Sequence, residues 1–317
     1  MKRGTMVMVL LMVFIYNMGF GLSQPAAEQR WAFYDGKEYV DIGIRAGYLK
    51  GDSTYHISFD GGASELEFPL RVFLLGPEIG LGYKNTKNQE KLRLNLIWLT
   101  SITEGTGKMK DSDWIDGDGQ PGLDIYSESD IELKANIFHI NLLYNFWPTK
   151  NISIGPVVGY KYQQFKYDIS NTDQVGYGIY APFTASPRGR TLEYKAIYHI
   201  PYFGLNSGIL FLERFQANIK LGYAPWAFAK DRDDHLLRYK LSRGDTDGYA
   251  YFANLNADWN FWPHLYLTIS GEYMKIRTTG TQHQSFYAGP FVGTTYDVDD
   301  KITSKQWLIS AMITCRF

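Results

Sequence analysis

The 317-residue chain carries a formal charge of −1, with no concentrated basic patch pointing to a nucleic-acid partner. Aromatic residues reach 16%, as 24 Tyr, 19 Phe and 8 Trp, in a chain with no apolar run beyond residue 20 long enough for a spanning helix, which fits transmembrane strands better than helices. The single cysteine, Cys315, excludes an internal disulfide.

Lys2 and Arg3, the apolar run from Met6 to Phe20 and the small residues through Ser23 read as an export signal over 1–23, with the mature chain starting near Gln24. That run is shorter than the ~20 residues of a spanning helix, and no cysteine follows it to carry a lipid anchor. From 24 to 317 the strand pattern continues without a linker, so a single domain is expected.

Val40, Ile42, Ile44, Ala46 and Tyr48 alternate with Asp41, Gly43, Arg45 and Gly47, as Leu92, Leu94, Leu96 and Trp98 do around Arg93 and Asn95. The segment from Phe215 to Tyr223 alternates without a break, and Leu265, Leu267, Ile269 and Tyr273 oppose Thr268, Ser270, Glu272 and Lys275. A last segment sets Trp307, Ile309, Ala311, Ile313, Cys315 and Phe317 against Ser310, Thr314 and Arg316. This final aromatic resembles the C-terminal signature of outer-membrane barrels. Period-two runs predict ten strands near 38–58, 64–84, 90–110, 126–146, 152–170, 190–211, 215–232, 247–261, 265–279 and 303–317. The expected fold is all-β, a ten-stranded antiparallel transmembrane β-barrel in the bacterial outer membrane. Its strands exceed the ~9–11 residues that cross hydrocarbon, so the sheet extends beyond the membrane on the extracellular side. A secreted soluble β-sandwich is the competing architecture.

Asn145-Phe146-Trp147-Pro148 and Asn260-Phe261-Trp262-Pro263 are near repeats whose prolines suit tight turns and whose aromatics suit the interfacial belt. They mark the periplasmic end. The longer polar stretches 111–126, 170–190, 231–248 and 278–304 then form the extracellular connections.

Two of those stretches carry chemistry. Asp111-Ser112-Asp113-Trp114 and Asp231-Arg232-Asp233-Asp234-His235 each place acidic or imidazole groups two residues apart, on one face of an extended strand. If the segments face each other, a carboxylate pair meets a His-Asp dyad, an arrangement suited to activating water. Close packing of Asp111 and Asp113 favours one of them holding a proton. Extended unbroken, the Phe215–Tyr223 alternation turns Asp231, Asp233 and His235 outward, so a bulge near Ala224-Pro225 is required to bring them in. Each motif alone is most simply a solvated loop. A calcium site is the rival chemistry for clustered carboxylates, but a histidine among them argues against it, and no metal is expected.

Ten strands with Asp-x-Asp-Trp after the third and Asp-x-Asp-x-His after the seventh resemble the omptin family of outer-membrane proteases. That resemblance implies catalysis by Asp111, Asp113, Asp233 and His235 with water as nucleophile. It implies a preference for basic residues read by acidic pocket groups, matched here by Asp231, whereas the expected second carboxylate falls at Tyr55. It further implies activation by lipopolysaccharide on the outer wall. Tyr160 fits that pattern, Gln164 and Ile197 stand where arginines are expected, and Lys161, Lys166 and Lys195 lie nearby. The expected protein is a monomeric endopeptidase with no cofactor, acting on surface-exposed peptides or proteins. The rivals are a non-enzymatic adhesin or narrow pore on the same scaffold, and a barrel lipid hydrolase.

Overall fold

The computed structural model describes residues 38–85, 87–115, 122–181, 183–211 and 214–317, so the expected export signal lies outside the described residues. The strands are β1 (Glu38–Phe59), β2 (Gly62–Lys84), β3 (Glu90–Ser101), β4 (Gly105–Ile115), β5 (Ile125–Tyr144), β6 (Ile152–Gly176), β7 (Thr184–Ala185), β8 (Arg190–Phe211), β9 (Phe215–His235), β10 (Lys240–Trp262), β11 (Leu265–Phe286) and β12 (Thr295–Arg316). β3 and β4 are two parts of one wall, and β7 is a short addition to β6, so the remaining strands make ten antiparallel walls. β12 pairs with β1 from Arg316 opposite Asp41 to Asp299 opposite Ser58, which closes the ring. Closure supplies the internal backbone partners that hydrocarbon cannot. It also rules out the two-sheet sandwich.

The lower half of the barrel is apolar outside and polar within. Trp98, Leu205, Leu255, Trp307 and Ile313 project exposed from the outer wall, at the end where Asn145–Pro148 and Asn260–Pro263 turn the chain as expected. Inside, Arg316 holds Asp41 through two contacts of 2.7 and 2.8 Å, and Arg45 meets Glu78 at 2.7 Å. These groups line a cavity of about 870 Å³ that reaches the lower turns through Lys87, Trp147 and Arg214. Pairing each buried charge offsets its desolvation.

Above the cavity an aromatic layer fills the barrel. Phe68 stacks on Tyr194 at 4.3 Å and tilts against Tyr167 at 5.0 Å, while Phe165 and Tyr198 meet edge to face at 6.1 Å. All five side chains are buried and belong to one continuous core. Burying each is worth about 1.5–3 kcal/mol. These rings pack across the lumen between the lower cavity and the upper mouth.

The upper connections are shorter than the sequence implies. Residues 231–248 and 278–304 read as loops, whereas β9 continues to His235, β10 starts at Lys240, β11 continues to Phe286 and β12 starts at Thr295. Above the apolar band neither wall face meets lipid, so both are polar and the alternation that marks a strand fades.

Candidate active site

Two irregularities set which side chains point into the mouth. Between β3 and β4 the register passes from Thr100 opposite Asn136 to Gly105 opposite Leu133, two extra residues on the β3–β4 wall. An even insertion preserves the phase. Asn95 below and Asp111 and Asp113 above therefore share the inward face. On β9, Ala224 lies opposite Ala250 and Ala227 opposite Gly248, one extra residue around Pro225 and Trp226. That odd insertion inverts the phase: Gly222 and Ala224 are buried below it, Ala227, Ala229, Asp231 and Asp233 above it. The bulge required by the sequence is present, and it carries Asp231, Asp233 and His235 inward.

His235 Nε2 lies 2.9 Å from Asp233 Oδ2. The hairpin beyond is tight, with Arg238 N donating to His235 O at 3.1 Å and Tyr239 at a left-handed φ of 53°. On its outer side the Tyr287 hydroxyl donates to Asp234 Oδ1 at 3.0 Å. On the facing wall Ser64 of β2 donates to Asp111 Oδ1 at 3.3 Å.

The electrostatics tie the walls together. Burial foremost, then repulsion from Asp113, pushes the Asp111 carboxyl up to about 7, Asp233 adds to the rise, and Arg238 and the Ser64 hydroxyl oppose it. Burial likewise pushes the Tyr55 hydroxyl well above its ordinary value, with Asp233, Asp231, Asp300 and Asp111 all contributing. All five expected carboxylate and imidazole groups therefore belong to one mouth, with Tyr55 at its base.

Several neighbours were not singled out by the sequence. Lys240 is buried and donates to Gln284 Oε1 at 3.2 Å, and Gln284 donates to Gln282 Oε1 at 2.6 Å. Burial lowers the Lys240 ammonium, while Asp233, Asp111 and Asp113 act to raise it. Gln282 contacts the Tyr55 hydroxyl and reaches Asp231 Oδ2 at 3.4 Å. Asp300 of β12 is buried beside Asp231. All lie in the segments that read as loops; continuing the period-two pattern through 278–286 and 298–304 places Gln282, Gln284 and Asp300 inward, whereas Lys240 opens β10 beyond the hairpin.

One expected lipid-binding residue is misplaced. Even-numbered residues of β6 face outward here and odd-numbered ones inward, so Tyr160 and Lys166 stand on the outer wall but Lys161 is buried inside, paired with Glu272. Lys195 stands outward opposite Lys166. Among the described residues, no three His, Cys, Asp or Glu side chains are grouped to hold a metal ion.

A closed ring with an apolar outer band defines a bacterial outer-membrane β-barrel. The sequence model described as the Omptin family matches residues 39–300, and the chain belongs to that family. It is 26% identical to the plasminogen activator of Yersinia pestis over 71% of this chain and 73% of that protein. It is 27% identical to the outer membrane protease IcsP of Shigella flexneri, over 51% of this chain and 53% of the relative. The crystal structure of the outer membrane protease OmpT from Escherichia coli superposes with a TM-score of 0.74, at 17% identity, covering 91% of this chain and 99% of that one.

Proposed function

We propose that the protein is an outer-membrane endopeptidase that hydrolyses peptides or proteins reaching the cell surface. The observation that carries this reading is the Asp233–His235 dyad held inward in the same mouth as the Asp111–Asp113 pair. Asp233 fixes the imidazole through one ring nitrogen, leaving the other to take a proton from water. The water oxygen attacks the scissile carbonyl, and the carboxyl pair, sharing one proton, orients the water and donates a hydrogen bond to the developing oxyanion. Collapse breaks the C–N bond, and the proton on His235 passes to the leaving amine. A positioned general base of this kind contributes about 10²–10⁴-fold in rate. Buried Asp231 supports a preference for a basic residue.

Lipopolysaccharide is the proposed outer-wall partner. Lys134, Lys166, Lys195, Arg232 and Arg243 are consecutive cross-strand neighbours on β5, β6, β8, β9 and β10. Like charges placed directly opposite are destabilising, and lipid phosphates would relieve the repulsion. Beneath lies an apolar outer-wall groove of about 500 Å³ lined by Leu142, Val158, Tyr160, Phe203 and Trp226. The β1–β12 pairing closes the sheet within one chain, and the working unit is read as a single barrel.

The test is cleavage of fluorogenic peptides with Arg-Arg, Lys-Lys or Ala-Ala centres by barrel refolded with lipopolysaccharide, alongside Asp111→Ala and His235→Ala. Cleavage by the parent and its loss in both variants is expected. Equal cleavage by parent and variants, or none by the parent, overturns the reading.

A further inference from the structure

Asp231 and Asp300 enter the mouth from β9 and β12, and their carboxyls meet over β10 at Gly244. A Cβ at Gly244 would collide with Asp231 Oδ1 and Asp300 Oδ2 alike, so glycine is what leaves room for the pair. Asp231 is 5% exposed and Asp300 2%. Among the described residues, no other side chain donates to Asp231 Oδ1 or to either oxygen of Asp300. The groups facing the pair are Tyr55 from β1, Tyr194 and Tyr198 from β8, Asp233 from β9 and Gln282 from β11. None is a cation, and Lys240 of β10 is turned to Gln284.

Two buried acids in contact resist joint ionisation and share a proton. A purely structural pair of this kind is costly, since neutral side chains would fill the space without the desolvation penalty. What its unpartnered oxygens fit is a guanidinium or ammonium group. Tyr55 lies opposite Ile302, and Asp300 lies opposite Ile57, one inward step higher on the neighbouring strand.

We propose that Asp300 supplies the pocket carboxylate missing at Tyr55, so that Asp231 and Asp300 together receive an arginine or lysine side chain of the substrate and release their shared proton as it enters. Charge balances, because the incoming cation replaces the proton, which leaves to solvent. The proposal rests on the protease reading, and extends it by naming the residue and the proton that set specificity. Burial pushes the Asp300 carboxyl up to about 7 and the Asp231 carboxyl well above its ordinary value. Capture of a cation therefore strengthens as pH rises.

The experiment compares refolded parent, Asp300→Asn and Tyr55→Glu/Asp300→Ala on peptides differing only in arginine or its neutral isostere citrulline before the cut. The parent is expected to favour arginine by about 100-fold in kcat/KM, Asp300→Asn to lose at least about tenfold of that ratio, and the double variant to regain it. Arginine preference should fall on acidification of the parent. A parent that cleaves both peptides equally, or an unchanged ratio in Asp300→Asn, overturns the proposal and leaves the protease reading standing. If the parent cleaves nothing, the protease reading fails. Calorimetric titration with agmatine, in two buffers of different ionisation enthalpy, then decides the pocket. Binding with proton release, lost in Asp300→Asn, supports it, and no binding overturns it.

Discussion

Asp233 Oδ2 sits 2.9 Å from His235 Nε2, two residues apart on one face of β9. In the proposed reaction the carboxylate fixes which ring nitrogen carries the proton and keeps the other free as a base. Asp233→Asn keeps the shape but lets its amide present either a donor or an acceptor to the ring, so the tautomer is no longer set. Turnover is expected to drop by about 10²–10⁴-fold, in kcat far more than in KM. Steady-state kinetics on one peptide checks this, with a normal heat-shifted gel band as the control for folding.

Burial, then repulsion from Asp113, pushes the Asp111 carboxyl up to about 7 in the folded barrel, against an ordinary 3.8. The folded state therefore holds the proton more tightly than the unfolded one. The stabilisation this gives is fully present below about 3.8 and is lost as pH rises through about 7. Asp111→Asn, which cannot ionise, is expected to raise the melting midpoint at pH values above 7 and to change it little near 4, while cutting activity. Circular-dichroism melts of parent and variant across pH test this exchange of stability for function.

Lys240 stands among Asp233, Asp111 and Asp113 as their buried cation. Removing it in Lys240→Met leaves the mouth with less positive charge, so the already raised Asp111 carboxyl is expected to hold its proton to higher pH. The acidic limb of the pH–rate profile should move upward. A profile that only falls in height, with its limbs unmoved, would show that Lys240 serves packing through Gln284 alone.

The sequence carried the barrel because its lower half faces two different solvents, lipid outside and a polar lumen inside, and alternation records that contrast residue by residue. Asp111 and Asp113 were legible for the same reason, since the two-residue insertion after Thr100 leaves their phase intact. Asp233 and His235 were legible only through a contradiction, their phase being wrong unless Pro225 marked a bulge. Asp300 keeps the inward phase of Ser304, Gln306 and Ser310 on an unbroken strand, but it stands above the lipid in a stretch polar on both faces that reads as a loop, so nothing marked it as a site residue. Lys240 opens β10 just beyond the hairpin, where which polar side chain points inward depends on cross-strand register. Lys161 failed differently: proximity to Tyr160 suggested a shared surface, but adjacent residues on a strand face opposite ways.

The basic outer ladder makes a prediction separable from the chemistry in the mouth. Lys166 and Lys195 are direct cross-strand neighbours, and Lys195 in turn neighbours Arg232. Lys166 and Arg232 have Asp168 and Asp234 at 3.8 and 3.2 Å on their own strands. Lys195 is thus the central cation of the row, and Lys195→Glu converts mutual repulsion into attraction while removing one of the proposed phosphate partners. The variant is expected to melt at or above the parent's midpoint without lipopolysaccharide, yet to gain less from its addition, with the difference shrinking as salt screens the charges. Titrating lipopolysaccharide into parent and variant at low and high ionic strength, with both melting and peptide cleavage as readouts, measures this. An identical response of the two proteins would move lipid recognition away from this wall.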